Sequence, residues 1–278
     1  MLTQTTKAVS FAALHAQADA FIIPNPWDVG TARLLATLGF EALATTSAGY
    51  AFSAGRPDNV VTRDETIAHA ASIASATDLP VSADLENGFG DDPGSVAETI
   101  RLAAAAGVVG GSIEDASART NGKPYDITLA TDRIRAAGEA AHGLPFRFVL
   151  TARCENFLVG RPDLSDTITR LQAYQEAGAD VLYAPGLTST SDIATLVRSV
   201  DRPVNVVMGL AGAQFSVATL SALGVKRISI GSALARAALG TVLRAGREMR
   251  ERGTFDFARE AVEYGEVNRI FATYGSSS

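Results

Sequence analysis

Seven junctions divide the chain, and they alternate between glycine and proline: Gly39, Pro80, Gly107, Pro145, Gly178, Pro203 and Gly224. At each glycine an apolar helical stretch stops and a β-rich one starts, as in Ala177-Gly178-Ala179-Asp180-Val181-Leu182. Glycine just past the last helical turn takes the left-handed conformation that reverses the backbone into a strand. At each proline the strand is entered directly, as in Leu79-Pro80-Val81. Proline stops the preceding helix and is tolerated as a strand's first residue. With an opening strand at 20–24, seven junctions give eight strands separated by helices. Strands that alternate with helices and are buried on both faces pair in parallel. A closed (β/α)8 barrel of the TIM type fits the strand count and the 278-residue length. A doubly wound open sheet is the other arrangement that this alternation allows.

The pattern predicts a first helix over 10–20, a second over 31–38 and a strand over 41–46. Strand five is expected at 146–151 and strand eight at 227–231. Beyond strand eight the chain is longer than one barrel helix requires. It predicts two helices, 233–252 and 255–273, split at Gly253-Thr254. The chain is thus expected as a single α/β barrel domain, 1–278, with 233–278 as a helical extension. The second of these helices is a candidate for packing on a partner subunit.

Composition excludes several classes of function. Apolar residues make up 47% of the chain, enough for a large core and too many for a disordered tail. A net charge of −6 with no basic stripe argues against nucleic acid. The single cysteine, Cys154, excludes an intramolecular disulfide and suits a reducing compartment. The first residues lack the apolar core of a signal peptide, and no run of about 18 apolar residues is present to span a membrane. The expectation is a soluble cytoplasmic protein without membrane or nucleic-acid partners.

In a barrel of this kind the site forms at the C-terminal ends of the strands. The stretch Val81-Ser82-Ala83-Asp84-Leu85-Glu86-Asn87-Gly88-Phe89-Gly90 begins as a strand and ends in two acids and two glycines. Period-two alternation places Asp84 and Glu86 on one face. Paired carboxylates beside a flexible turn suit a hard divalent cation such as Mg²⁺. Strand four ends in Glu114-Asp115, strand five leads into Arg153 and Glu155, and strand seven contributes Asn205. Strand two runs into Thr46, Ser47 and Ala48, small residues whose N–H groups could hold a carboxylate, and a long loop then carries Asp58. A polar loop over 116–125 contains Arg119, Asn121 and Lys123.

A solvated turn or a structural ion pair would explain one such set of charges. Sets on three strand ends, converging on one mouth, point to a metal-dependent active site. A cation held by carboxylates mostly through water leaves positions for a substrate's oxygens. A 2-oxo acid offers two of them, one from its carboxylate and one from its keto group. The cation stabilises the enolate formed when a bond to C3 breaks, and Arg153 pairs with the carboxylate. His15, His69 and His142 fall in or beside helices and read as surface or helix-end residues. Cys154 should face away from Arg153 and into packing. Ile228-Ser229-Ile230-Gly231-Ser232-Ala233 has the form of a phosphate cradle, although Gly-Ser also serves simply to turn a corner.

The ordered set Asn25-Pro26-Trp27-Asp28, Thr46-Ser47-Ala48, Pro57-Asp58, Asp84 to Gly90, Ser112-Ile113-Glu114-Asp115 and Ala152-Arg153-Cys154-Glu155 resembles the isocitrate lyase/phosphoenolpyruvate mutase superfamily. The resemblance runs over nearly the whole length. It implies a modified (β/α)8 barrel whose last helix is swapped between subunits of a homo-oligomer, a dimer or tetramer. It also implies Mg²⁺ or Mn²⁺ as cofactor and a 2-oxo acid as substrate. Transferred position by position, Asp84 is the direct metal ligand, with Glu86 and Glu114 reaching the metal through water. Asp58 approaches the metal shell, Arg153 meets the substrate carboxylate, and the backbone at Thr46, Ser47 and Ala48 meets its oxygens.

The loop after strand four departs from the lyase pattern. Lyases that resemble this chain carry a Cys and a His there, where this chain reads Arg119-Thr120-Asn121-Gly122-Lys123. That disfavours a cysteine-dependent isocitrate or methylisocitrate lyase, and Asn121 with Arg119 two residues before it is similar to the phosphonopyruvate branch. The leading expectation is a Mg²⁺-dependent lyase on a small 2-oxo dicarboxylate, as in oxaloacetate decarboxylation. The alternatives are a phosphonopyruvate mutase or hydrolase, and a protein that binds a 2-oxo acid without turning it over.

Overall fold

The computed structural model describes residues 2–117, 122–210, 212 and 214–274. Its strands are β1 (Phe21–Ile23), β2 (Leu43–Ala44), β3 (Val81–Asp84), β4 (Gly110–Glu114), β5 (Val149–Arg153), β6 (Val181–Tyr183), β7 (Val204–Val207) and β8 (Arg227–Ser229). All pair in parallel, in the order β1-β8-β7-β6-β5-β4-β3-β2. Among the described residues no ladder joins β1 to β2, so the barrel is nearly closed. Among the described residues two links cross that seam. The Ala44 N–H donates to the Pro24 carbonyl at 3.0 Å. The Asn25 side chain donates to the Thr45 carbonyl at 2.9 Å and accepts from the Ile230 and Gly231 N–H groups, each at 3.0 Å.

Helix α1 (Gln4–Leu14) plugs the N-terminal end of the barrel. Phe11 and Leu14 pack there with Phe21, Ile23, Val109, Val149 and Val181. The approach is close: a Cβ on Gly110 would stand 2.8 Å from the Phe11 ring and 2.9 Å from the Val149 carbonyl. This helix starts earlier than 10–20 because the Thr3 side chain caps it, accepting from the Thr6 N–H. The buried Lys7 also ties it inward, donating to the Ala74 and Thr77 carbonyls.

The outer ring comprises α2 (Val29–Thr37), α4 (Arg63–Ala74), α5 (Pro93–Ala105), α6 (Ile127–His142), α7 (Leu164–Glu176), α8 (Thr190–Arg198) and α9 (Val217–Ala222), with the short α3 (Ser47–Ser53) at the mouth. Their inner faces bury Ile73, Ile100, Ile134, Leu171, Leu196 and Leu220, each contributing about 1.5–3 kcal/mol of transfer free energy. The expected glycine caps are present: Gly39, Gly107, Gly178 and Gly224 have φ of 83°, 93°, 106° and 88°.

After β8 comes α10 (Ala233–Arg252), closed by Gly253 at φ 66°. The second expected helix is broken into a 3₁₀ turn, Asp256–Glu260, and α11 (Tyr264–Ala272). The cause is Glu248 of α10. Its carboxylate accepts from Thr254 Oγ1 at 2.7 Å, the Asp256 N–H at 2.5 Å and the Phe257 N–H at 3.2 Å, folding the chain back on itself. Within the chain, α11 packs on α2, with the Arg33 guanidinium 5.0 Å over the Tyr274 ring. It is α10 that shows a bare apolar face, with Leu239, Val242 and Leu243 all more than 40% exposed.

Candidate active site

Asp84 closes β3 and is held from three sides. Its N–H donates to Thr45 Oγ1 at 2.8 Å. Its carboxylate accepts from the Ser47 N–H at 3.1 Å and from Arg153 Nη1 at 3.3 Å. The expected small-residue loop is therefore the N-terminus of α3, with Thr46 as its cap. Here the Ser47 N–H serves Asp84.

Glu86 is not placed by strand alternation, which stops at Asp84. Glu86 has φ 48° and Phe89 has φ 60°, left-handed values that cost an L-residue about 1–2 kcal/mol. The turn is held by Arg133 from α6, which donates to the Asn87 carbonyl and, at 2.6 Å, to the Gly90 carbonyl. The guanidinium lies 4.3 Å over the Tyr125 ring. Asn87 donates to the Tyr125 hydroxyl at 2.9 Å, and that hydroxyl donates to Asp91 at 2.7 Å. The result turns Glu86 into a cavity shared with Glu114, Asn59 and Phe89, beside a second cavity lined by Asp84, Thr46, Arg153 and Tyr183.

Arg153 sits at the centre of this charge. It contacts Glu114 at 2.8 Å, Asp84 at 3.3 Å and Glu155 at 2.9 Å, with its side chain only 12% exposed. One guanidinium thus faces three carboxylates, and Asp58 and Glu86 add to the same negative field. Burial pushes the Glu86 carboxyl up to about 8, reinforced by Asp84 and Asp58 and opposed by Arg153. Burial and Asp84 also raise Asp58. Burial raises Glu114 and Glu155 against the pull of Arg153.

Among the described residues the buried Glu86 Oε1 atom has no hydrogen-bond partner. An orphan carboxylate oxygen in a net-negative hollow fits a hard cation in charge and donor type. The spacing is looser than a finished shell: among the described residues no three acidic, histidine or cysteine side chains stand close enough to share one ion. Water would complete the coordination of Mg²⁺, which keeps several waters in most of its sites.

Asp84, Glu86, Glu114, Arg153, Glu155, Asp58, Thr46, Ser47 and Ala48 all belong to the barrel mouth or the loops over it. Arg119 and Asn121 lie outside the described residues. Asn205 is placed deeper, 1% exposed, with both ends of its amide bonded inside the barrel. It accepts from Arg227 Nε at 2.9 Å and donates to Ser229 at 3.0 Å.

Cys154 is fully buried, as expected, and burial pushes its thiol well above the usual range. Two histidines are not surface residues. His15 is buried in edge contact with Phe11 and Phe21 and is held neutral, its pKa lowered to about 3 by burial and by Arg227. His69 stacks on Tyr50 and bonds the Trp27 carbonyl at 2.8 Å. His142 is half exposed beside Asp180.

Asp115 stands out as a residue whose importance only the structure reveals. Its buried carboxylate accepts from the Glu155 N–H at 2.8 Å, Tyr174 at 2.6 Å and Arg170 at 3.3 Å. It clamps the ends of β4 and β5 to α7. The sequence signal was its adjacency to Glu114, which marked the strand end without saying which acid faced inward.

Comparison with known proteins agrees with this geometry. A sequence profile of the phosphoenolpyruvate phosphomutase family matches residues 11–250. A crystal structure of a lyase/mutase candidate from Burkholderia cenocepacia J2315 is 63% identical, covering 97% of this chain and 96% of its own, with a TM-score of 0.95. An uncharacterized protein of Mycobacterium tuberculosis (strain ATCC 25618 / H37Rv) is 37% identical over 86% of this chain and 88% of its own. The oxaloacetate decarboxylase of Chromohalobacter salexigens is 29% identical over 87% of this chain and 84% of its own. The matched span reaches from the plug helix through all eight strands, and with it the chain belongs to the phosphoenolpyruvate mutase/isocitrate lyase superfamily of lyases and mutases.

Proposed function

We propose that this protein is a Mg²⁺- or Mn²⁺-dependent lyase that breaks a C–C bond in a small 2-oxo dicarboxylic acid through an enolate, as in oxaloacetate decarboxylation. The observation that carries the reading is the excess of carboxylates around Arg153, with the orphaned Glu86 oxygen among them. Asp84 would hold the cation directly, with Glu86 and Glu114 reaching it through water and Asp58 approaching its shell. A bound divalent cation supplies Lewis acidity toward the keto oxygen. The chain's own residues do the rest. Arg153, relieved of part of its carboxylate load, presents two parallel N–H groups to the substrate carboxylate. The α3 N-terminus would offer the remaining oxygen the Ala48 N–H, and the Ser47 N–H once Asp84 turns to the cation, and Glu155 keeps the guanidinium plane in place. The likeness to an oxaloacetate decarboxylase supports the choice of substrate.

A second reading is a phosphonopyruvate mutase or hydrolase. It is supported by the family profile and by Arg119 and Asn121 on the loop after β4. The bare apolar face of α10 supports a homo-oligomer in which that helix covers a partner's barrel.

The test is calorimetry in Mg²⁺ with oxaloacetate, 2-oxoglutarate and phosphonopyruvate, with product analysis of each mixture. Pyruvate and CO₂ from oxaloacetate establish the decarboxylase. Phosphate or phosphoenolpyruvate from phosphonopyruvate establishes the second reading. Tight binding without product leaves a 2-oxo acid binding protein.

A further inference from the structure

Among the described residues, three that are not glycine take positive φ: Asn59 at 63°, Glu86 at 48° and Phe89 at 60°. All three line one cavity, the one that Glu86 shares with Glu114. A residue with a side chain keeps such a backbone only where its surroundings over-determine it, and these residues gather at functional sites. The contacts that over-determine the turn from Glu86 to Phe89 converge on Tyr125, which stands outside the cavity wall.

Tyr125 ends the polar loop after β4, and its backbone is pinned there on both sides. Its N–H donates to the Asp115 carbonyl at 2.7 Å, and its carbonyl accepts from Arg170 Nη1 at 2.9 Å. Arg170 also bonds the buried Asp115 carboxylate, so the anchor is the clamp between β4 and α7. From this anchor the side chain, 6% exposed, reaches the turn after β3. The phenol accepts from Asn87 Nδ2 at 2.9 Å and donates to Asp91 Oδ1 at 2.7 Å. Both directions are fixed. A carboxylate only accepts, and Asn87 Oδ1 is already taken by the Phe89 N–H at 3.1 Å. The ring carries Arg133, whose guanidinium lies 4.3 Å over it and bonds the Asn87 and Gly90 carbonyls. Hydroxyl and ring of one side chain thus hold the turn by two routes.

We propose that Tyr125 is a positioning residue for the divalent cation: from outside the cavity it fixes the turn that aims the Glu86 carboxylate. The proposal rests on the metal reading above and adds to it a residue that acts only through others. A binding site gains affinity when its groups already stand in the bound geometry, because little ordering remains to be done. Without the phenol oxygen the buried Asn87 amide loses an acceptor. The amide then no longer holds the Phe89 N–H in a fixed direction, and Glu86 is free to leave its left-handed conformation. Its carboxylate turns out of the hollow that it shares with Glu114.

The test is a double-mutant cycle, read by calorimetric titration of metal-free protein with Mg²⁺. Tyr125→Phe leaves the ring beneath Arg133 and removes only the hydroxyl. It should lower Mg²⁺ affinity about tenfold, the loss typical of an outer partner of a metal ligand, with an unchanged circular dichroism spectrum. In a Glu86→Gln background the same change should alter affinity by less than about twofold, because the carboxylate that it aims is gone. Equal losses in both backgrounds overturn the proposal, since a general weakening of the fold does not depend on Glu86. Wild-type affinity in Tyr125→Phe overturns it as well. Either result, with Mg²⁺ bound by the wild type, removes this proposal alone. Wild-type protein that binds no Mg²⁺ removes the metal reading and this proposal together.

Discussion

The two halves of the barrel mouth solve opposite electrostatic problems. On β3 to β5, Asp84, Glu114 and Glu155 crowd one arginine, with Asp58 and Glu86 close by. On β6 to β8, one arginine is satisfied by neutral partners, Asn205 and Thr151. The first half is over-supplied with negative charge and leaves a buried oxygen unbonded, so it is complete only when something positive joins it. The second is complete as it stands. The difference is one of completeness: one side has room for a positive ligand, and the other is already paired within itself.

The sharpest way to break that contrast is to remove its most central acid. Asp84→Ala should abolish Mg²⁺ binding by calorimetry and lower turnover by about 10³-fold or more, with an unchanged circular dichroism spectrum. Retained metal affinity would show that the acid-rich side is only an ion-pair network. Next in size, Arg153→Lys keeps the charge but loses the planar fork. It should raise KM for oxaloacetate by about 10–100-fold, the worth of a charged hydrogen bond, and a KM close to wild type would place the substrate carboxylate elsewhere.

Glu86 gives a subtler probe. A carboxyl raised to about 8 by folding is protonated in the folded protein and ionised in the unfolded chain between the ordinary carboxylate range and pH 8. Metal-free stability should therefore fall as pH rises through that window. In Glu86→Gln the fall should be shallower, with Mg²⁺ affinity down about 10–100-fold. Thermal melts at pH 5, 6.5 and 8 read the first effect, and parallel pH profiles for the two proteins would remove Glu86 from the account. The smallest effect is expected at Cys154. Cys154→Ser should leave kcat within about threefold, since the thiol is buried away from both halves; a loss of several orders of magnitude would make it a participant.

These regions also differ in how far they can be read from residues alone. The Gly39, Gly107, Gly178 and Gly224 caps are legible because a local backbone need, positive φ, selects one residue type. Strand ends are legible for the same reason, and they deliver Asp84, Glu114 and Arg153 to one place. Glu86 was assigned to the right neighbourhood by the wrong route. Its direction depends on a left-handed turn held by Arg133, far away in sequence on another helix. Tyr183, Asn205 and Arg227 look like ordinary strand residues until parallel pairing sets them side by side, with Tyr183 against Asn205 and Asn205 against Arg227. Long-range register made that row, and no local pattern encodes it.

The Asn25 amide has a mechanical meaning beyond its hydrogen bonds. A barrel resists deformation as a hoop does, through tension shared around its circumference, and its strength is that of its least secured segment. Between β1 and β2 the hoop has no ladder, and Asn25 ties the ends of β1, β2 and β8 with a single side chain. Cutting that tie with Asn25→Ala would turn the hoop into an open gutter hinged opposite the seam. Solvent deuterium would enter first at the Ala44, Ile230 and Gly231 amides.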